Sequence, residues 1–272
     1  MKNFNKVIYP VVFAALGAIS LLTQAAAVDD LIAAVIRDSD IAVRQQISQG
    51  ADLNGRDAKG QTALTLAIHH QSAKALPILL QAPKIDINAT NAAGESPLML
   101  AIITEQYDLA RSLIKRGADI NKVGWTPLHY AATKGNLDMI RLLLDKDAYI
   151  DTTSPNDTTP LMMAAQFGNE SAVLMLLQKG ADPWARNQLK MTALDFARKG
   201  GNEDSIRYIQ TAQSRRKPVY NAQPLKPLSP ASAAELKGLP IPENEEEPEL
   251  IYPEGMLPPE KPASAPMPTA SS

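Results

Sequence analysis

The stretch "GWTPLHYAATKGNLDMIRLLL", residues 124–144, decides how the chain is read. Thr126 suits the cap of a helix start, and Pro127 suits the first helical position, where a missing N–H costs little. Leu128, Ala131 and Ala132 form the apolar stripe of a short helix. Gly135 and Asn136 then interrupt it, and Leu137, Ile140, Leu143 and Leu144 recur at three- and four-residue spacing, the face of a second helix. Two such helices cannot enclose a core alone, so the question is whether the unit recurs.

It does. "QTALTLA" at Gln61, "ESPLMLA" at Glu95, "WTPLHYA" at Trp125, "TTPLMMA" at Thr158 and "MTALDFA" at Met191 follow one another at offsets of 34, 30, 33 and 33 residues. A second motif keeps step with the first: "QGADLN" from Gln49, "KIDIN" from Lys84, "RGADIN" from Arg116, "KDAYID" from Lys146 and "KGADPW" from Lys179. Two motifs in register over five copies, with a period of about 33 residues, mean stacked supersecondary units. Small alanines let the first helices of neighbouring units approach closely, and stability comes from the stack.

On these motifs the chain resembles ankyrin-repeat proteins over about residues 30–215. The resemblance implies an all-α solenoid of about six repeats, two of them degenerate caps, each a β-turn finger followed by two antiparallel helices. It also implies that His129, in the Thr-Pro-Leu-His turn, bonds backbone between repeats. The first copy, residues 28–60, lacks that turn and reads as the N-terminal cap, with a polar outer face in "RDSD" and "RQQ". Repeats and a C-terminal cap fill 61–217, and the last copy carries Asp195 where the family usually has histidine. The step of 30 falls at "GADINKVGWTPL", so that finger is expected to be shorter by three residues and to leave a notch. Pro77 is expected to kink or shift the second helix of its copy. Pro183 and Trp184 replace the usual turn residues in the fifth copy.

The two ends differ from the repeats. Lys2 and Lys6 precede an apolar run from Val7 to Leu22, and Ala25 and Ala27 fit a small-x-small cleavage pattern. This is the layout of a signal peptide over residues 1–27. The run of 16 residues is shorter than the roughly 20 that span a bilayer as a helix; left uncleaved, it would serve as a membrane anchor. No cysteine follows it to carry lipid, and the chain has none for disulfides or thiolate metal sites. Residues 218–272 hold 13 of the 21 prolines and eight glutamates against three lysines, with no Phe or Trp. Such a segment cannot bury enough apolar area to offset its ordering entropy, and it reads as a disordered tail with polyproline II character. Its "PELIYPEGML" is the part best suited to dock.

No catalytic, metal or cofactor motif emerges. The histidines are His69, His70 and His129, and the first two are adjacent, so on a helix they should diverge rather than chelate. There is no His-Glu-x-x-His, no phosphate-cradling loop and no nucleophile elbow. A net charge of −2 advertises no nucleic-acid partner. The expectation is a non-enzyme without cofactors, nucleic acid or small-molecule substrate.

In the ankyrin family, finger tips and the exposed side of each first helix make a concave face. Carried over, that face comprises Lys59, Gln61, His69 and His70; Glu95 and Ile103; Lys122, Trp125, Thr133 and Lys134; Gln166 and Phe167; and Leu189 and Met191. Large aromatic anchors in a mixed polar surround favour binding. The expected role is a monomeric, periplasmic adaptor or scaffold that binds a protein of the cell envelope. Alternatives are an inhibitor or self-protection protein that blocks an envelope hydrolase or toxin, and a secreted effector that mimics host ankyrin proteins. Secretion or inner-membrane anchoring would be the other locations. The leader reading is checked by intact mass of the exported protein: a chain starting at Val28 is expected, and a start at Met1 contradicts cleavage.

Overall fold

The computed structural model describes residues 26–167 and 169–215. The leader before Ala26 and the Pro/Glu-rich tail therefore lie outside the described residues. Twelve helices run in chain order. The first, α1, occupies 26–36. Then come α2 (Asp40–Ser48), α3 (Ala63–His69), α4 (Ala75–Gln81), α5 (Pro97–Ile103), α6 (Tyr107–Lys115), α7 (Pro127–Lys134), α8 (Leu137–Leu144), α9 (Pro160–Gln166), α10 (Glu170–Lys179), α11 (Ala193–Gly200) and α12 (Glu203–Arg215). Paired in order, they make six two-helix repeats. No strand occurs among the described residues; an isolated antiparallel bridge joins Arg56 and Thr62.

The inner layer is the succession α3, α5, α7, α9, α11, each packed on the next. Each of these helices begins at a Ser or Thr cap whose turn folds back from the third helical residue: Thr62 with Thr65, Ser96 with Met99, Thr126 with His129, Thr159 with Met162 and Thr192 with Asp195. Pro97, Pro127 and Pro160 occupy the first turn as expected. Ala67, Ala101, Ala131, Ala132, Ala164, Ala165 and Ala197 are fully buried, which is what allows the inner helices to stack closely. Leu64, Ile68, Leu98, Ile102, Leu128, Met139, Ile140 and Leu143 fill the space between layers. Gly135 ends α7 in the left-handed region at φ 66°. A Cβ there would lie 2.4 Å from Asn169 Oδ1, so glycine answers both the turn and the close approach.

Polar bonds between repeats are as regular as the apolar layer. Asn54 Nδ2 donates to Lys84 O at 2.9 Å, and its Oδ1 accepts from Asp86 N at 2.8 Å. Asn88 Oδ1 accepts from Asp119 N, Asn121 bonds both Asp147 O and Tyr149 N, and Asp151 Oδ1 accepts from Asp182 N. Asn169 Nδ2 donates to Ala132 O and Thr133 O, and Gln106 Nε2 donates to Ile68 O. Each bond satisfies a backbone group of the adjacent repeat.

His129 shows the same logic and confirms the link that the resemblance implied. Its Nδ1 accepts from Thr126 N–H at 3.2 Å, so that nitrogen carries no proton. Nε2–H therefore donates to Thr158 O of the next repeat at 2.9 Å. Burial lowers the imidazole pKa to about 4, partly offset by the Thr158 bond. Asp195 takes the equivalent place in the last repeat. Its Oδ2 accepts from Thr192 N and Oγ1 at 2.7 and 2.8 Å. Among the described residues no further repeat follows it, and the carboxylate closes its own cap.

Of the two outcomes expected for Pro77, a kink or a shift of its helix, the structure shows the shift. α4 begins 14 residues after Gln61, whereas α6, α8, α10 and α12 begin 12 after Glu95, Trp125, Thr158 and Met191. The late start puts Pro77 in the first turn, where no intrahelical acceptor is lost. The displaced start has no side-chain cap of its own; instead Asp38 of the previous repeat accepts from Lys74 N and Ala75 N, both at 2.9 Å. The outer face of the first repeat is also less polar than expected, because Ile36 and Ile41 are 52% and 75% exposed.

Two outcomes follow. Asp38→Ala removes the borrowed cap and should lower unfolding free energy by about 1–2 kcal/mol in urea melts, while Asp38→Asn should retain most of it. For His129 the folded pKa lies below the ordinary 6.5, so protons bind the unfolded chain first as pH falls. Stability present above pH 6.5 should be lost progressively toward pH 4, by roughly 3 kcal/mol from this residue. His129→Gln should be less stable at neutral pH yet show a shallower loss across that window.

Candidate functional site

The fingers are short hairpins built by one repeated bonding scheme. Asp57 N donates to Gln61 O, Asn91 N to Glu95 O, Ser154 N to Thr158 O and Asn187 N to Met191 O, at 2.9–3.0 Å. The side chain of the same first residue accepts the return N–H: Asp57 from Gln61, Asn91 from Glu95, Ser154 from Thr158 and Asn187 from Met191. In the fourth repeat the corresponding position would be Asn121, but that residue already makes the inter-repeat bond to Asp147 and Tyr149. In other repeats the bridging residue and the hairpin-closing residue are separate and three apart, as in Asn54 and Asp57. The three-residue deletion therefore removes the hairpin closer and spares the bridge. Gly124 still makes the left-handed turn at φ 83° that Asp157 and Lys190 make at 62° and 63°.

The face carried over from the sequence divides into three groups. Lys59, His69 and His70 are exposed, and Leu189 is 48% exposed. Gln61, Glu95, Ile103, Lys122, Trp125, Lys134, Gln166 and Phe167 are half-buried. Thr133 and Met191 are buried and leave the face. The Thr133 hydroxyl turns back to donate to His129 O at 2.8 Å, and the apolar Met191 side chain folds into the last repeat. His69 and His70, expected to diverge, meet edge to face with ring centroids 5.4 Å apart. His70 is the C-cap of α3 and keeps helical backbone angles, φ −82° and ψ −2°, so the side chains rather than the backbone bring the rings together.

Several of these side chains are held. The Trp125 ring lies edge-on to His129, centroids 5.1 Å apart. Phe167 caps α9. Lys134 Nζ pairs with Glu105 Oε1 of the previous repeat at 2.7 Å, a partly exposed bridge worth under about 1 kcal/mol. Gln166 Oε1 is buried and has no hydrogen-bond partner among the described residues.

A compact polar cluster sits at the base of the short finger. Glu95 accepts from Asn91 Nδ2 at 2.7 Å and from the Tyr130 hydroxyl at 2.8 Å. Burial, then the charge of Glu95, pushes the Tyr130 phenol above its usual range. Lys122 Nζ donates to Gly94 O at 2.6 Å; burial lowers its pKa, and Glu95 partly restores it. Sequence reasoning missed Tyr130. Its signal was available, because the matching positions hold Leu66, Leu100, Met163 and Phe196 and only Tyr130 adds a polar end.

Among the described residues, no group of three His, Asp or Glu side chains could hold a metal ion, and no helix is long and apolar enough to cross a membrane. What the face offers is side-chain surface: two half-buried aromatic residues, exposed aliphatics and fixed polar groups, spread over five repeats.

Comparison with known proteins agrees with the architecture. A family model described as ankyrin repeats (3 copies) matches residues 31–123 and 121–187. The B-cell lymphoma 3 protein homolog of Mus musculus is 35% identical over 118 residues, 41% of this chain and 26% of the relative. The chain thus spans about a quarter of the length of that curated relative. Among solved structures, a chain in the complex of a predatory endopeptidase from Bdellovibrio bacteriovorus with its immunity protein matches with TM-score 0.57 and 28% identity. It covers 66% of this chain and 96% of that one. An ankyrin repeat domain from Acinetobacter baumannii matches with TM-score 0.56 and 26% identity, over 67% and 96% of the two chains. With its periodic finger and helix motifs, its six stacked helix pairs and the matched family model, this chain belongs to the ankyrin-repeat family.

Proposed function

We propose that this chain is an exported protein-binding module that holds a protein of the cell envelope on its finger and inner-helix face. The observation that supports this reading is that Trp125 and Phe167 are half-buried and Leu189 is exposed, at the repeat positions that the family resemblance assigns to the concave face. Large anchors in a mixed polar surround are the usual energetic centre of a protein interface. The leader supports export, and packing in the described residues begins at Val28, 6% exposed, immediately after the expected cleavage point. In the adaptor form of this reading, residues 218–272 supply a second handle for another partner.

A specific observation favours a second reading, self-protection against an envelope hydrolase. The matching chain from the endopeptidase–immunity protein complex is covered over nearly its whole length. A stack that blocks a peptidase needs only its folded face, whereas an adaptor needs the tail as well.

The two readings separate in one capture experiment from envelope extract. The baits are the full mature chain, a chain ending at Lys217, a Trp125→Ala/Phe167→Ala pair and Leu189→Asp. As an adaptor, the shortened chain should lose one partner and keep another. As an inhibitor, it should keep a single one-to-one partner and suppress that partner's hydrolysis of its substrate. Either way, the double variant should retain less than about a tenth of the wild-type partner, since the loss of two anchors is worth at least about 1.4 kcal/mol. Equal capture by every bait overturns the face as the binding site.

A further inference from the structure

The short fourth finger creates an anchoring site with its own chemistry. Its neighbours keep full-length hairpins, closed at Asn91–Glu95 and Ser154–Thr158, while its own is three residues shorter. The gap is thus flanked by the exposed tip residues Ala92 and Ala93 on one side and Pro155 on the other. Pro155 stands close behind Gly124, whose added Cβ would lie 3.6 Å from its ring. At the crest of the short finger Val123 is 99% exposed, the most exposed large apolar side chain among those described. An aliphatic residue left fully in water at a recess between two taller loops stabilises nothing in the isolated chain.

The charge beside it is equally telling. Lys122 reaches back to Gly94 O and spends one of its three N–H donors there. The nearest carboxylate, Glu95, has both oxygens engaged, one by Asn91 and the other by Tyr130. The cation is therefore partly desolvated and positioned, and although the charge of Glu95 acts on it, that carboxylate takes up none of its donors by hydrogen bond. Desolvation also lowers its pKa, so an arriving anion would meet a lysine that already bears part of the burial cost.

The geometry points to this notch as the seat of a protruding, acidic loop on the protein partner, one that sets an aliphatic or aromatic side chain against Val123 and Trp125 and a carboxylate against Lys122. The proposal rests on the protein-binding reading above and names the chemistry of what that face selects. Full-length fingers elsewhere in the stack present Ala58, Lys59, Gln188 and Leu189 at their tips, without a recess beside a desolvated lysine.

A displayed library of disulfide-constrained loop peptides, selected against the full mature chain, tests it with a defined probe. Enriched loops should carry Asp or Glu within two positions of Leu, Ile, Val, Phe or Trp. Their affinity, read by fluorescence polarisation, should fall about tenfold in Lys122→Gln, the loss of one charged hydrogen bond. Lys122→Arg should bind nearly as well as wild type, and binding should weaken as salt is raised. Val123→Ser changes a side chain that touches nothing, so it leaves the fold intact and should still weaken the loops several-fold. Inserting Gly-Arg-Asp between Asn121 and Lys122 restores the finger to the length of the second one and should abolish binding. Selection that yields no binder, loops without the acidic-apolar pairing, or loops that bind the insertion variant as tightly as wild type would overturn the notch. If such loops fail while the envelope partner still depends on Trp125 and Phe167, the broader face stands and only the notch falls.

Discussion

The repeats of this protein close their apolar core only by stacking on one another, and the rest of the structure depends on that constraint. Asn54, Asn88, Asn121 and Asp151 each reach across to the backbone of the following repeat, and His129 does the same at the helix start. The borrowed cap from Asp38 to α4 extends the principle to a helix whose own residues offer none. The bonds from Asn54, Asn88, Asn121 and Asp151 lie at exposed positions and set the register, whereas the His129 bond to Thr158 is buried, where an unpaired carbonyl would be costly. The fully buried alanines of the inner helices supply the apolar half of the same dependence.

That dependence also explains which variations the stack tolerates. The fourth finger loses three residues, yet Asn121 keeps the bridge and Gly124 keeps the left-handed turn. What disappears is the hairpin closer, whose bond is local to the finger. Likewise Asp195 stands where the family has histidine, in the last of the described repeats, and bonds only its own cap residue Thr192. Pro77 is accommodated by a later helix start, with the cap supplied from outside. In the fourth finger the inter-repeat bonds are retained and the change falls on a local bond, while at α4 an inter-repeat bond stands in for a local cap. Surface chemistry is then free to vary at finger tips and inner-helix ends, where a binding face can be altered without loosening the stack.

Most of the architecture was legible in the chain itself. The recurring Thr-Pro-Leu and Gly-Ala-Asp motifs placed the repeats, the caps and the short finger, because helix starts and tight turns are specified by residues close in sequence. The candidate face was legible only in outline. Trp125 and Phe167 are half-buried and Lys59 and Leu189 exposed, but Thr133 and Met191 turn inward. Whether a side chain on a helix end points out or folds back depends on hydrogen bonds such as Thr133 to His129 O, which spacing does not encode.

By itself the sequence determined the period, the helix pairs, the capping residues and the missing segment of the fourth finger, all consequences of local backbone preference. Only the tertiary structure decided that Asp38 caps a helix in the next repeat, that Tyr130 and Asn91 occupy both oxygens of Glu95, and that Val123 stands in water above a partly buried lysine. The bonds of Asp38 to Ala75, of Tyr130 to Glu95 and of Lys122 to Gly94 join residues 37, 35 and 28 positions apart. They exist only once the stack has brought adjacent units face to face.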